Sequence, residues 1–110
     1  VQIHLTHALQ RRTRIVASAA TLVEVLRGTK RDASIHRTLR LVTIEPLTEE
    51  LGRRAGELLG KSGLGPEDSI DAMVAATAIG QPRPVLILTS DPKDLGALTS
   101  DETGITVAHV

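Results

Sequence analysis

Three acidic residues stand in apolar or strand-end settings: Glu24 in SAATLVEVLRG, Asp71 in SIDAMVAATAIG and Asp91 in VLILTSDPKDL. A carboxylate beside an apolar face must be paired, protonated or bound to a cation. Three of them, drawn from distant segments and able to converge at one edge of a sheet, could form an oxygen-ligand site for Mg²⁺ or Mn²⁺. That chemistry points to metal-assisted hydrolysis.

Each residue also has a plainer use. On a helix, Asp71 heads a stripe of Val74, Ala75 and Ala78 suited to close packing on a sheet, yet it could equally serve the helix dipole, a role already open to Glu67 and Asp68. Thr21-Leu-Val-Glu24 fits a capping box, in which the glutamate reaches back to the N-cap amide. Asp91 followed by Pro92 fits an N-cap with proline at the first helical position. The case for a site therefore rests on the combination. His4, His7, His36 and His109 read as surface or hydrogen-bonded polar residues, since no nearby carboxylate completes a metal triad with His4 and His7. The chain carries no glycine-rich phosphate loop and no GxSxG elbow, which argues against nucleotide cofactors and acyl transfer.

The elements that must position these acids follow from hydrophobic periodicity. Helices are expected over residues 1–11, 21–31, about 34–40, 48–61 with Thr48 as N-cap, 66–79 and 92–98. Strands are expected at Arg14–Ser18, Leu41–Ile44, Val85–Leu88 and Ile105–Val110; the unbroken apolar run at 85–88 suggests a strand covered on both faces. Alternation of this kind predicts a single domain over residues 1–110 with a three-layer α/β fold and a mainly parallel sheet. Such sheets place their sites at the carboxyl ends of strands, where Glu24 and Asp91 would both fall.

A chain of 110 residues is long enough to bury roughly 60–70% of the surface it exposes unfolded. No apolar run approaches the ~20 residues that span a bilayer, so no membrane association is expected. The absence of cysteine removes disulfides, thiolate nucleophiles and zinc–thiolate sites, and with no basic, apolar leader in view the expected location is the cytoplasm. Phe, Tyr and Trp are all absent. A nucleic-acid partner would be held through phosphates and shape, not by stacking on aromatic rings. Zero net charge hides an asymmetry: residues 1–54 carry ten Lys/Arg against five Asp/Glu, and residues 55–110 carry three against eight. The basic half, including Arg11, Arg12, Arg14 and Arg27, offers a phosphate-tracking surface or merely solvated helix faces.

Together the segments VASAATLVEVLRG, SIDAMVAATAIG, VLILTSDPKDLGAL and ITVAHV resemble the PIN-domain ribonucleases, specifically the VapC-type toxins of bacterial toxin–antitoxin pairs. The resemblance implies a parallel sheet flanked by helices, a Mg²⁺- or Mn²⁺-dependent endonuclease acting on RNA, a homodimer, and a cognate antitoxin that occludes the site. Glu24, Asp71 and Asp91 match the family's second, third and fourth acidic positions. Asp94 matches an accessory ligand, and Thr89 the small hydroxyl residue before the last acidic position. Arg11, Arg12, Arg14 and Arg27 would then contact the RNA backbone.

The family pattern opens with a short central strand bearing its first acidic residue, whereas here no Asp or Glu precedes Glu24. The expectation is accordingly a PIN-like domain whose first, central strand is missing from these 110 residues. Two other classes stay open: a catalytically impaired PIN-like module acting through dimerisation or antitoxin binding, and a receiver-like regulatory domain.

Overall fold

Gly28 and Asp32 decide where the first described helix gives way. The computed structural model describes residues 15–109, in two compact units lying within residues 1–46 and 47–110. The helix expected over residues 1–11 lies outside the described residues.

In the first unit, strand β1 (Val16–Ser18) runs parallel to β2 (Thr43–Glu45), with Val16 opposite Thr43 and Ser18 opposite Glu45. Between them come helix α1 (Thr21–Val25), a 3₁₀ turn (Lys30–Asp32) and helix α2 (Ala33–Leu39). The sequence reading joined residues 21–31 into one helix; the structure breaks it. Leu26 turns extended and Gly28 takes φ +75°, a conformation that L side chains rarely adopt. One Asp32 oxygen accepts the amide N–H groups of Arg27 at 3.0 Å and Gly28 at 2.8 Å. A side chain that satisfies two backbone donors offers the chain an alternative to continuing the helix. Asp32 is itself buried. The Arg27 amide foremost, then those of Gly28 and Thr29, hold its carboxyl below the ordinary carboxylate range against the opposing effect of burial.

The second unit is built around an alanine-rich helix. Helix α3 (Glu49–Ser62) starts as expected, with Thr48 Oγ1 accepting the Leu51 N–H at 3.1 Å and Glu49 and Glu50 in the first turn. It ends at Gly63, whose φ of +70° gives a left-handed cap. A 3₁₀ turn (Pro66–Asp68) leads into α4 (Ser69–Ile79). Ala72, Ala75 and Ala76 of α4 have no solvent exposure, so the helix backbone can approach its neighbours closely. Around them pack Ala55 of α3, Ile87 of β3 (Val85–Thr89), and Leu95 and Leu98 of α5 (Pro92–Leu98). Burying a leucine side chain contributes about 1.5–3 kcal/mol, and this pair fastens α5 to the core.

Strand β3 runs parallel to β4 (Ile105–His109), from Val85 opposite Ile105 to Thr89 opposite His109, with α5 as the crossover. Val85, Ile87, Ile105 and Val107 face the core, whereas Leu86, pointing the other way, is 53% exposed. On that second face Leu86 is exposed and Leu88 half-buried, so the run at 85–88 is only partly covered there. Arg83 braces this unit: its guanidinium donates to the carbonyls of Ile79 and Thr103 and to the Glu102 carboxylate, tying the end of α4 to the approach of β4. The α/β class with parallel strand pairing is as the sequence predicted. Among the described residues no helix is long and apolar enough to cross a membrane.

Candidate metal centre

Two elements of the second unit bring carboxylates together. Asp68 closes the 3₁₀ turn as the N-cap of α4, and Asp71 lies three residues on, in the first turn of that helix. Asp94 comes from the first turn of α5. Its neighbour Leu95 is 2% exposed, so the core anchors that turn. Before α5, the Thr89 hydroxyl accepts the Asp91 N–H at 3.0 Å, which shapes the exit from β3. One oxygen from each of Asp68, Asp71 and Asp94 lies within 4.8 Å of the other two.

The donor set suits a hard divalent cation. Octahedral Mg²⁺ takes oxygens at about 2.1 Å, which puts opposite ligands about 4.2 Å apart, so small side-chain movements would close this trio around one ion. All three residues are half-buried. Half-burial partly shields the charges while leaving the carboxylates accessible to solvent. Three carboxylates this close repel one another, a cost offset in part by the positive N-terminal end of α4 and removed by a bound cation.

Of the residues singled out in the sequence, Asp71 and Asp94 are in the trio. Asp91 is exposed at the N-cap of α5 and is not among the three; its side chain makes no capping bond. Glu24 is exposed on α1 in the first unit. The capping box anticipated for it is not formed, since the N-cap is Ala20 and no side chain caps the helix. Arg27 folds back on α1, its guanidinium donating to the carbonyls of Val23 at 3.0 Å and Leu26 at 2.7 Å. Arg11, Arg12 and Arg14 lie outside the described residues.

Asp68 joins this group without having been singled out in the sequence. Sequence reasoning gave it to the helix dipole, yet its side chain makes no cap hydrogen bond, and the Asp68/Asp71 spacing of one helical turn was the available signal. A cavity of about 260 Å³ lined by Leu58, Lys61, Leu98 and Asp101 lies at the far end of α5 and does not involve the trio.

The fold is α/β with parallel strand pairing, and it carries an all-oxygen acidic group that could hold a cation. Residues 3–95 match the PIN domain family, and the chain belongs to it. PIN domains are generally metal-dependent nucleases, which gives the chain a nuclease-type function. Comparison with curated proteins and with solved structures gave no match.

Proposed function

We propose that this chain is a metal-dependent endoribonuclease of the VapC type, the toxin of a type II toxin–antitoxin pair, acting on cytoplasmic RNA with Mg²⁺ or Mn²⁺. The observation that carries the reading is the meeting of Asp68, Asp71 and Asp94 within 4.8 Å in a chain of the PIN family. The VapC assignment, the homodimer and the occluding antitoxin rest on the resemblance of SIDAMVAATA and LTSDPKDL to that group.

Asp68 from the 3₁₀ turn, Asp71 from the first turn of α4 and Asp94 from α5 bring one oxygen each to the group. Asp68, Asp71 and Asp94 would hold a divalent ion, which when bound would supply acidified water and charge neutralisation at the scissile phosphate. Their other carboxylate oxygens would accept hydrogen bonds from the attacking water. Glu24 and Asp91 stand at positions that match the family's acidic pattern. The net reaction adds water across a phosphodiester, yielding a phosphomonoester and an alcohol.

The experiment is cleavage of single-stranded RNA by the 110-residue chain with Mg²⁺, with Mn²⁺ and with EDTA. Cleavage that needs the metal and vanishes in Asp71→Asn supports the reading. Metal-independent cleavage, or an unchanged rate in Asp71→Asn, contradicts it. A folded, metal-binding chain with no cleavage under any condition leaves the impaired binding module as the function.

A further inference from the structure

Residues 27–40 hold five cations and one acid, Asp32. Asp32 is buried and spent on the amides of Arg27 and Gly28, so it does not neutralise the outer surface. Arg27 is engaged with backbone carbonyls of α1. The other four cations, Lys30, Arg31, Arg37 and Arg40, are exposed, and among the described residues none forms an ion pair.

Helical geometry turns these charges into a ridge. Ile35, Thr38 and Leu39 are half-buried and mark the inner face of α2. Arg37 and the C-cap Arg40 fall on the opposite face, and Lys30 opens the 3₁₀ turn that leads into the helix. At ~1.5 Å rise per residue Arg37 and Arg40 are about 5 Å apart along the axis, and Lys30 stands one 3₁₀ turn before the helix, so the three span a few phosphates at ~3.4 Å each along a stacked strand. Between them stand the exposed Ala33, Ser34 and His36, with no large apolar side chain. A protein partner needs apolar anchors at the centre of its contact. The ridge has none within it, and Leu41, 55% exposed, is the single one at its end. The chain also lacks aromatic rings for base stacking.

We infer that Lys30, Arg37 and Arg40 form a docking ridge for the phosphate backbone of single-stranded RNA, flanked by Arg31. The choice of RNA as the polyanion rests on the nuclease reading above. The ridge takes phosphates without reading bases, so its contribution is uniform across sequences and weakens with salt.

The test is anisotropy of labelled oligouridine binding to the full chain in EDTA, which keeps cleavage silent. Lys30→Gln/Arg37→Gln/Arg40→Gln should weaken binding about tenfold or more near 0.1 M salt and flatten the slope of log affinity against log salt by about 2, at ~0.7 per phosphate contact. The charge-preserving variant Lys30→Arg/Arg37→Lys/Arg40→Lys should bind like the parent, which separates charge from folding. Equal affinity and slope in parent and neutral variant overturn the ridge, as does equal loss in both triple variants. Binding of oligoglutamate in place of oligouridine overturns it in favour of an acidic protein. If the neutral variant loses RNA binding while the parent cleaves nothing in Mn²⁺, the ridge stands and the nuclease reading falls. If the parent cleaves and the neutral variant binds normally, the reverse holds.

Discussion

The carboxylates of Asp71 and Asp94 approach within 4.8 Å although one stands at the start of the alanine-rich helix α4 and the other beyond strand β3, in the first turn of α5. Burial of Ala72 and Leu95, each adjacent in sequence to one of these acids, fixes that meeting. The site is therefore a consequence of the core, and disturbance of either should be legible in the other.

Replacement of single acids should rank the ligands. Loss of outer partners of a metal site already costs about 10–100-fold, and loss of a ligand costs at least as much. RNA cleavage should fall about a hundredfold or more in Asp94→Asn and in Asp71→Asn, and less in Asp91→Asn. Initial rates at saturating Mn²⁺ check this; an Asp91→Asn defect larger than that of Asp94→Asn would show that the trio is not the principal site.

Asp32 links the turn after α1 to pH. Its folded pKa lies below the ordinary value of 3.8, so its contribution to stability is present above that value and is lost as pH falls through the depressed folded value. Asp32→Asn should lower Tm by several degrees near neutral pH, and the gap between variant and parent should close as the pH drops below 3.8. Thermal melts from neutral to acid pH measure both; a gap that widens toward acid contradicts the assignment.

The same Ala→Leu change should have opposite fates in two helices. At Ala75, which has no exposure, the added methyl groups overpack the contact around α4 and cost about 1–3 kcal/mol. At Ala33, exposed on α2, the change should stay within about 0.5 kcal/mol. Urea midpoints of the two variants are the comparison.

Helix α3 carries Gly52, Gly56 and Gly60, where an added Cβ would meet nothing within 4 Å. Gly56→Ala should stabilise the chain by about 0.5–1 kcal/mol, since glycine gains nothing inside a helix. Gly63→Ala should destabilise it by about 1 kcal/mol or more, because φ there is +70° even though the space is open. Denaturant melts decide the two signs.

Much of this fold was legible because its signals are local. Thr48, Gly63, Gly80 and Pro92 punctuate the chain where the structure starts and stops helices, and the runs at 85–89 and 105–109 pair as parallel strands. The break after α1 was hidden because it depends on Asp32 reaching back to amides of residues 27 and 28, a contact that apolar periodicity does not register. Asp71 could be singled out because a charge on a small-residue apolar face is costly without a purpose. Asp68 could not, because an acid at a helix start is the ordinary helix signal, and only its approach to Asp94 in the structure makes it a candidate ligand. Thr89 was noted only through the family resemblance; in the structure its hydroxyl accepts the Asp91 N–H.

The central claim is that Asp68, Asp71 and Asp94 hold a divalent cation, and calorimetric titration of Mn²⁺ into the metal-free parent and into Asp71→Asn tests it most directly. The account predicts saturable binding to the parent, accompanied by a gain of about 2.7 kcal/mol in folding stability at a hundred times Kd, with both greatly weakened in the variant. Equal Mn²⁺ affinity in parent and Asp71→Asn, or no binding to the folded parent, would contradict it.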